Sequence, residues 1–457
     1  MTQQTAHKPA LFDPLSPEIR LCPHAHYDAL NAQPVTALPD YPNFYLVSGY
    51  ETVVEVLMDP HTYDGQPFPG REVPIMSAMP PDPHGRVRGA VQSIFTKKAL
   101  AKLTPRIEAM AEKRTRALVR KGRGDLMALW ANPIPLSVIA HMFGFPDGER
   151  DLKRLHRYGD ASIRLAIPLG GPGLPLPKGR LARLKLQLGF VRALPSVLRL
   201  RFHTPPSERG KSGGRAPNPL SDKPGYPRSG LAHHPWLIHR ALDFQVEVLK
   251  ILNRHRKQPG DEVIDLLIPP YVKGELSLRE TLGAAQQILV AGYETTANTL
   301  ASAVLRMAED PGLLDWLKAD KARIEPFVEE LLRLDAPLQR TLRRTTRPVR
   351  LGGVDLPENA QLIVMLGAAN LDPAQYDCPH TFDPGRTGNH RHLAFGRGIH
   401  ICLGAQLARL ETRIALGHFL DQVGAVRLDP NRPPERLTDK DIGMWGFVRL
   451  PVIVEPA

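Results

Sequence analysis

At 457 residues the chain is long enough for two or three domains, and its 42% hydrophobic and 23% charged content is that of a globular protein with a large core. A formal charge of +12 fits nucleic acid, an acidic membrane or an acidic protein as partner, but no nucleic-acid-binding motif accompanies it, so nucleic acid is set aside. The cysteines Cys22, Cys378 and Cys402 give no disulfide framework, and the first twenty residues lack the apolar core of a signal peptide or anchor and are broken by Pro9, Pro14 and Pro17. Both features point to a cytoplasmic protein.

In chain order, strand-like residues at 44–47 precede helical signals over 83–260, which include candidate helices at 147–166 and 236–257. Between those two lies a departure at about 167–235, rich in proline and glycine. Its first half, residues 178–202, alternates leucines with Arg180, Arg183, Lys185, Arg192, Arg199 and Arg201 and has no acid, which suits a basic amphipathic helix. Its second half, 204–235, reads as a flexible loop. Ser277 and Glu280 form a capping box that opens a long apolar helix through 307, and 324–333 is a further apolar-periodic helix. Short strands are expected at 349–351, 361–365 and 448–454. The whole reads as mainly α with small β-sheets.

Chemistry concentrates at residues 395–404, Phe-Gly-Arg-Gly-Ile-His-Ile-Cys-Leu-Gly, where one cysteine follows a glycine-rich turn and precedes an amphipathic helix. A thiolate at a helix N-terminus has a lowered pKa and binds metal, and Gly396, Gly398 and Gly404 let the backbone approach something flat. A lone cysteine is more often a small buried hydrophobe. Zinc could recruit His390, His392, His400 and Cys402, but their spacing fits no common zinc pattern, and a dinucleotide loop fails because Ile401 stands where a third glycine is needed. In the long helix, Ala291-Gly292-Tyr293-Glu294-Thr295-Thr296 places an acid and an alcohol inside an apolar run. Burying both is costly unless they are used or hydrogen-bonded. Gly292 is expected to leave room for a small ligand, and Thr295 to bond back to a carbonyl and open the helix locally. A kink with a solvent-facing Glu294 would account for the same residues.

The loop resembles the haem-binding loop of the cytochrome P-450 family, matching Phe-Gly-x-Gly-x-His-x-Cys-x-Gly at every fixed position. The resemblance implies a single domain over 1–457, with haem b as cofactor and Cys402 as the thiolate ligand of its iron. Phe395, Gly396, Gly404, Ala291 and Gly292 would line the haem. By the same resemblance Thr295 would stabilise reduced oxygen at the iron and Glu294 would relay protons. Glu330-Leu331-Leu332-Arg333 resembles the family's Glu-x-x-Arg, which joins an arginine ahead of the haem loop, here Arg386, in a buried ion network. His84, Arg88, Arg343 and His400 occupy positions that would hold the haem propionates, although each alone also fits an ordinary surface charge.

The implied activity is O2-dependent oxidation of a small organic substrate in a pocket drawn from 63–79, 289–296, 336–341 and 444–447. Electrons would come from a separate ferredoxin, or another donor, with its reductase, and Arg397 would help form an acidic partner's docking face. A peroxide-dependent peroxygenase is the alternative enzyme, but those relatives replace the acid–alcohol pair. A haem-thiolate sensor or carrier would need Cys402 without Glu294 or Thr295. For residues 178–202 the expectation is a contact with anionic lipid or an acidic partner. A tolerated surface insertion would explain the extra length equally well.

Overall fold

The computed structural model describes residues 12–14, 16–66, 75–165, 180–205, 208, 234–258, 263–437 and 443–457. Nine helices organise the site: α1 (Pro81–Val91), α2 (Lys97–Lys121), α3 (Pro133–Met142), α4 (Glu149–Leu165), α5 (Arg180–His203), α6 (Ile238–Lys257), α7 (Leu278–Glu309), α8 (Ile324–Leu334) and α9 (Ala405–Gln422). The expected mainly helical architecture with small sheets is what forms.

The central helix is α7. Ser277 accepts from the Glu280 amide while the Glu280 carboxylate accepts from the Ser277 amide, so the predicted capping box holds both halves of its bargain. Its 32 residues span about 48 Å. It packs against α3, α4, α6, α8 and α9, which is why its apolar positions run around the cylinder rather than along one stripe. One buried cluster extends from Met79 through α7 to Val454 and includes Trp130, Phe244 and Phe419.

Five strands, β1 (Val35–Ala37), β2 (Phe44–Val47), β3 (Tyr63–Asp64), β5 (Thr341–Thr345) and β6 (Gln361–Val364), form a sheet in the order β1-β2-β6-β5-β3. A second sheet joins β4 (Arg123–Asp125), β8 (Pro451–Pro456) and β7 (Val423–Leu428), in that order. In β5, antiparallel to β6, Arg343 pairs with Leu362 and Arg344 with Gln361. Successive side chains in a strand point to opposite faces. Arg344 accordingly binds Asp64 at 2.9 Å, while Arg343 goes to the site.

The expected strand at 448–454 is two strands, Phe447–Arg449 and Pro451–Pro456, and β4 interrupts the helical stretch expected over 83–260. Helices expected at 147–166 and 236–257 appear as α4 and α6, the latter preceded by a single turn, Pro235–Leu237. The basic segment forms helix α5. Its flanks at 166–179 and most of the loop expected at 204–235 lie outside the described residues.

Candidate haem site

Cys402 sits in the turn before α9, whose N-cap is Gly404. The Cys402 amide donates to the Phe395 carbonyl at 2.8 Å, closing the loop on itself. Gly396 and Gly398 have φ of +66° and +69°, in the left-handed region that side chains avoid, and a Cβ on Gly398 would run into the Leu57 carbonyl. The loop is therefore pinned against the helix Tyr50–Met58 at a contact only glycine permits.

The expected lowering of the Cys402 pKa is not what this environment produces. The protein atoms crowded around the sulfur desolvate it and push the thiol up even though Cys402 is exposed to the cavity, and the Gly404 amide together with Arg88 and Arg409 pulls it only part of the way back. The reason is position: Cys402 lies ahead of the N-cap, so one amide rather than a full helix terminus reaches the sulfur. A metal cation would supply the charge that this setting lacks and hold the sulfur as thiolate.

Cys402 opens into a cavity of about 1110 Å³, and Ala291, Gly292, Glu294 and Thr295 of α7 line the same space. Thr295 Oγ1 donates to the Ala291 carbonyl at 2.7 Å, the expected back-bond, yet α7 stays helical from end to end and does not open there. Gly292 departs from expectation too. A Cβ at that position would lie 2.6 Å from Cδ1 of Ile139, so α3 fills the room the missing side chain leaves. Glu294 is buried.

Four basic groups meet on one wall. The His84 and His400 rings stand 4.3 Å apart between centroids, Arg88 donates to the Ile401 carbonyl at 2.7 Å, and the buried Arg343 donates, among the described residues, to Thr341 and the Leu342 carbonyl. Burial, with the neighbouring cations, pushes His84 down to about 4 and His400 to about 2, and burial alone takes Arg343 to about 10. Among the described residues the one carboxylate acting on this group is Asp64, already paired with Arg344. His400 Nδ1 is buried without a hydrogen-bond partner among the described residues. Orphaned cations and donors in this number call for an anion. Haem fits: its propionates would answer these four groups, and its iron would meet Cys402, the one cysteine among the described residues of the cavity wall.

Beneath the loop, Glu330 and Arg333 are both fully buried. Arg333 donates through Nε and Nη2 to Glu330 at 2.9 and 2.8 Å, and its other donors reach the Asn370, Pro379 and Thr381 carbonyls. Arg386 Nε reaches Glu330 at 3.2 Å and the Asp383 amide donates to it at 3.0 Å, so the three residues expected to form a network do so.

Two clusters were not anticipated. Arg409 donates twice to Glu329, at 2.6 and 2.8 Å, lies over the Phe395 ring, and His392 approaches the same carboxylate at 3.3 Å. Across the cavity, Gln245 donates to Gln286, which donates to Ser162, tying α6, α7 and α4 together, while Gln287 accepts from the Met76 amide at 2.7 Å. The pair Gln286-Gln287 within the apolar run of α7 was the available sequence signal. Of the expected pocket ranges, Met76, Leu338, Thr341 and Met444 line the cavity, and 67–74 lie outside the described residues.

Residues 237–444 match the cytochrome P-450 family. The chain is 30% identical over 456 residues to vitamin D(3) 25-hydroxylase of Pseudonocardia autotrophica, covering 95% of this chain and 94% of that one. It is 28% identical over 470 residues to the cytochrome P-450 monooxygenase PikC of Streptomyces venezuelae, covering 99% and 96%. The chain belongs to the cytochrome P-450 family. The crystal structure of the hydroxylase HmtN superposes with a TM-score of 0.71 at 25% identity, covering 96% of this chain and 99% of that chain. As a cytochrome P-450 the protein is an oxidoreductase, a haem-thiolate monooxygenase that binds iron protoporphyrin IX. Among the described residues no helix is long and apolar enough to cross a membrane.

Proposed function

We propose that this cytochrome P-450 is a cytoplasmic, single-domain enzyme over 1–457 that inserts one atom of O2 into a small, largely apolar organic substrate, the other atom leaving as water. The observation that carries this reading is the cavity itself, which Cys402 and the basic quartet border together with the Glu294–Thr295 pair. Haem held by a cysteine thiolate supplies the electron push that favours O–O cleavage. His84, Arg88, Arg343 and His400 orient the cofactor through its propionates. Glu330, Arg333 and Arg386 hold the loop that carries Cys402.

On the α7 side, Thr295 holds a hydroxyl proton at Oγ1, and the neighbouring Glu294 renews it from solvent. The apolar majority of the lining, including Ile75, Ile163 and Met444, excludes water and accepts an apolar substrate, while Gln286 and Gln287 provide amides for a polar substituent. Electrons come from a separate ferredoxin, or another donor, with its reductase. Arg397, which also donates to the Tyr50 hydroxyl at 3.2 Å, contributes to a docking face for an acidic donor. The acid–alcohol pair favours this reading over a peroxygenase or a haem-thiolate sensor.

The test is turnover with an electron source and a ligand that displaces water from the iron. Thr295→Ala should bind haem and substrate normally and release peroxide in place of product. Unchanged coupling of electron use to product would remove Thr295 from the proton path, and no product under any electron supply would favour the sensor.

A further inference from the structure

Helix α5 is turned inside out. It packs on α6 and on the turn Pro235–Leu237 with its smallest residues: Gly189, Ala193 and Ser196 are buried, and a Cβ on Gly189 would lie 2.6 Å from the Pro235 backbone. The large apolar side chains point the other way. Leu181, Leu184, Leu188, Phe190, Val191, Leu194, Val197, Leu198 and Phe202 are each between 43% and 78% exposed. Trp236, in the adjoining turn, is 44% exposed. Leu184, Leu188, Val191, Leu194, Leu198 and Phe202 recur at the three- and four-residue spacing that normally marks a core-facing stripe, but here the stripe faces outward. Isolated exposed leucines need no explanation, whereas a contiguous apolar stripe on one helix marks an interaction surface.

The charges select the partner. Lys185, Arg192 and Arg199 follow one another at seven-residue intervals and so border the stripe in a row; Arg201 lies on its other side, Arg180 stands at the start of the helix, and the helix carries no acid. Lys185 and Arg192 are exposed, while Arg199 is paired with Asp243 at 3.0 Å. A second copy of this chain would set basic helix against basic helix. The segment 206–233, as sequence, offers Leu220, Tyr226 and Leu231 as its only large apolar residues, too few to cover the stripe. An anionic bilayer answers both features: lipid chains take the leucines, and headgroups take the cations at their borders, where long side chains reach the interface.

The geometry points to α5 as an interfacial helix that lies on an anionic lipid surface without crossing it. Its neighbour α6 supplies Gln245 to the cavity lining, so the bilayer would lie against the outer side of the cavity wall. The inference commits the sequence expectation for 178–202 to lipid, and it does not depend on the chemistry proposed for the haem.

Flotation of the holoenzyme with vesicles tests it, using phosphatidylcholine alone and phosphatidylcholine mixed with phosphatidylglycerol. At low salt the protein should float with the mixed vesicles and stay behind with the neutral ones, and Trp236 emission should shift to the blue. Lys185→Gln with Arg192→Gln should weaken binding by about thirtyfold. Leu184→Ser with Val191→Ser and Leu198→Ser should abolish the emission shift; these substitutions face solvent, and an unchanged haem spectrum confirms folding. Three results would overturn the inference. The first is no binding of the unaltered holoenzyme to mixed vesicles at low salt. The second is self-association that the serine variant abolishes, which would give the face to a second copy. The third is capture of an acidic ferredoxin that needs the cations but not the leucines, which would give it to a protein.

Discussion

Replacing Glu330 by Gln should be among the most damaging isosteric changes this protein can suffer. The carboxylate takes four hydrogen bonds, from Arg333 Nε and Nη2, Arg386 Nε and the Asp383 amide, and both Glu330 and Arg333 are excluded from water. Glutamine keeps the shape but cancels the charge and turns one acceptor into a donor facing other donors. Breaking a buried pair in this way costs about 3–5 kcal/mol, because the remaining cation stays desolvated. That is a large part of the roughly 5–15 kcal/mol that holds a typical domain folded. The assay is urea unfolding of the holoenzyme by circular dichroism, with haem retention followed in the same samples by absorbance. Asp355→Asn is the internal control. Its partner Arg350 pairs with it at 2.9 Å, but both side chains are mostly exposed, so that loss should stay within about 1 kcal/mol. If Glu330→Gln cost no more than Asp355→Asn, the network would not be supporting the loop.

Adding a methyl group by Gly292→Ala should be penalised by Ile139, and in an Ile139→Val background, which removes the Cδ1 atom 2.6 Å away, the penalty should shrink by about 1 kcal/mol. Additive effects in thermal melts would mean the two helices do not touch there. Burial raises the Glu329 pKa, but the hydrogen bonds from Arg409 and the close approach of His392 outweigh it and bring the group to about 2. A depressed folded pKa stabilises above the unfolded value and the stabilisation is lost as pH falls through the folded one. The stability gap between the natural protein and Glu329→Gln should therefore be full at neutral pH and close as pH falls from about 4.5 toward about 2. A gap that widened on acidification would refute the pairing.

The haem loop, the α7 pair and the Glu330–Arg333 pair were legible because each is a short motif whose residues are close in sequence; Arg386, far along the chain, joined the last only through the family resemblance, and the order of the motifs tied them to one cofactor. What stayed hidden depends on contacts between distant segments. The three residues of β4 carry no alternating pattern and become a strand only by pairing with Pro451–Ile453. β5, Thr-Leu-Arg-Arg-Thr, was not among the expected strands, and its two arginines divide between opposite faces only because Asp64 lies on one side and the haem site on the other. Gly292 looked like vacant space because nothing in the sequence places Ile139 beside it. The leucines of α5 announced an amphipathic helix, but only packing on α6 through Gly189, Ala193 and Ser196 revealed which side faces out.

The central claim is that Cys402 is the sulfur that holds the iron. The most direct measurement is the absorption spectrum of the reduced protein under carbon monoxide, taken for the natural sequence and for Cys402→Ala. The natural protein should show the red-shifted band characteristic of a thiolate-ligated haem, and Cys402→Ala should lose it. A Cys402→Ala protein that kept this band would contradict the account.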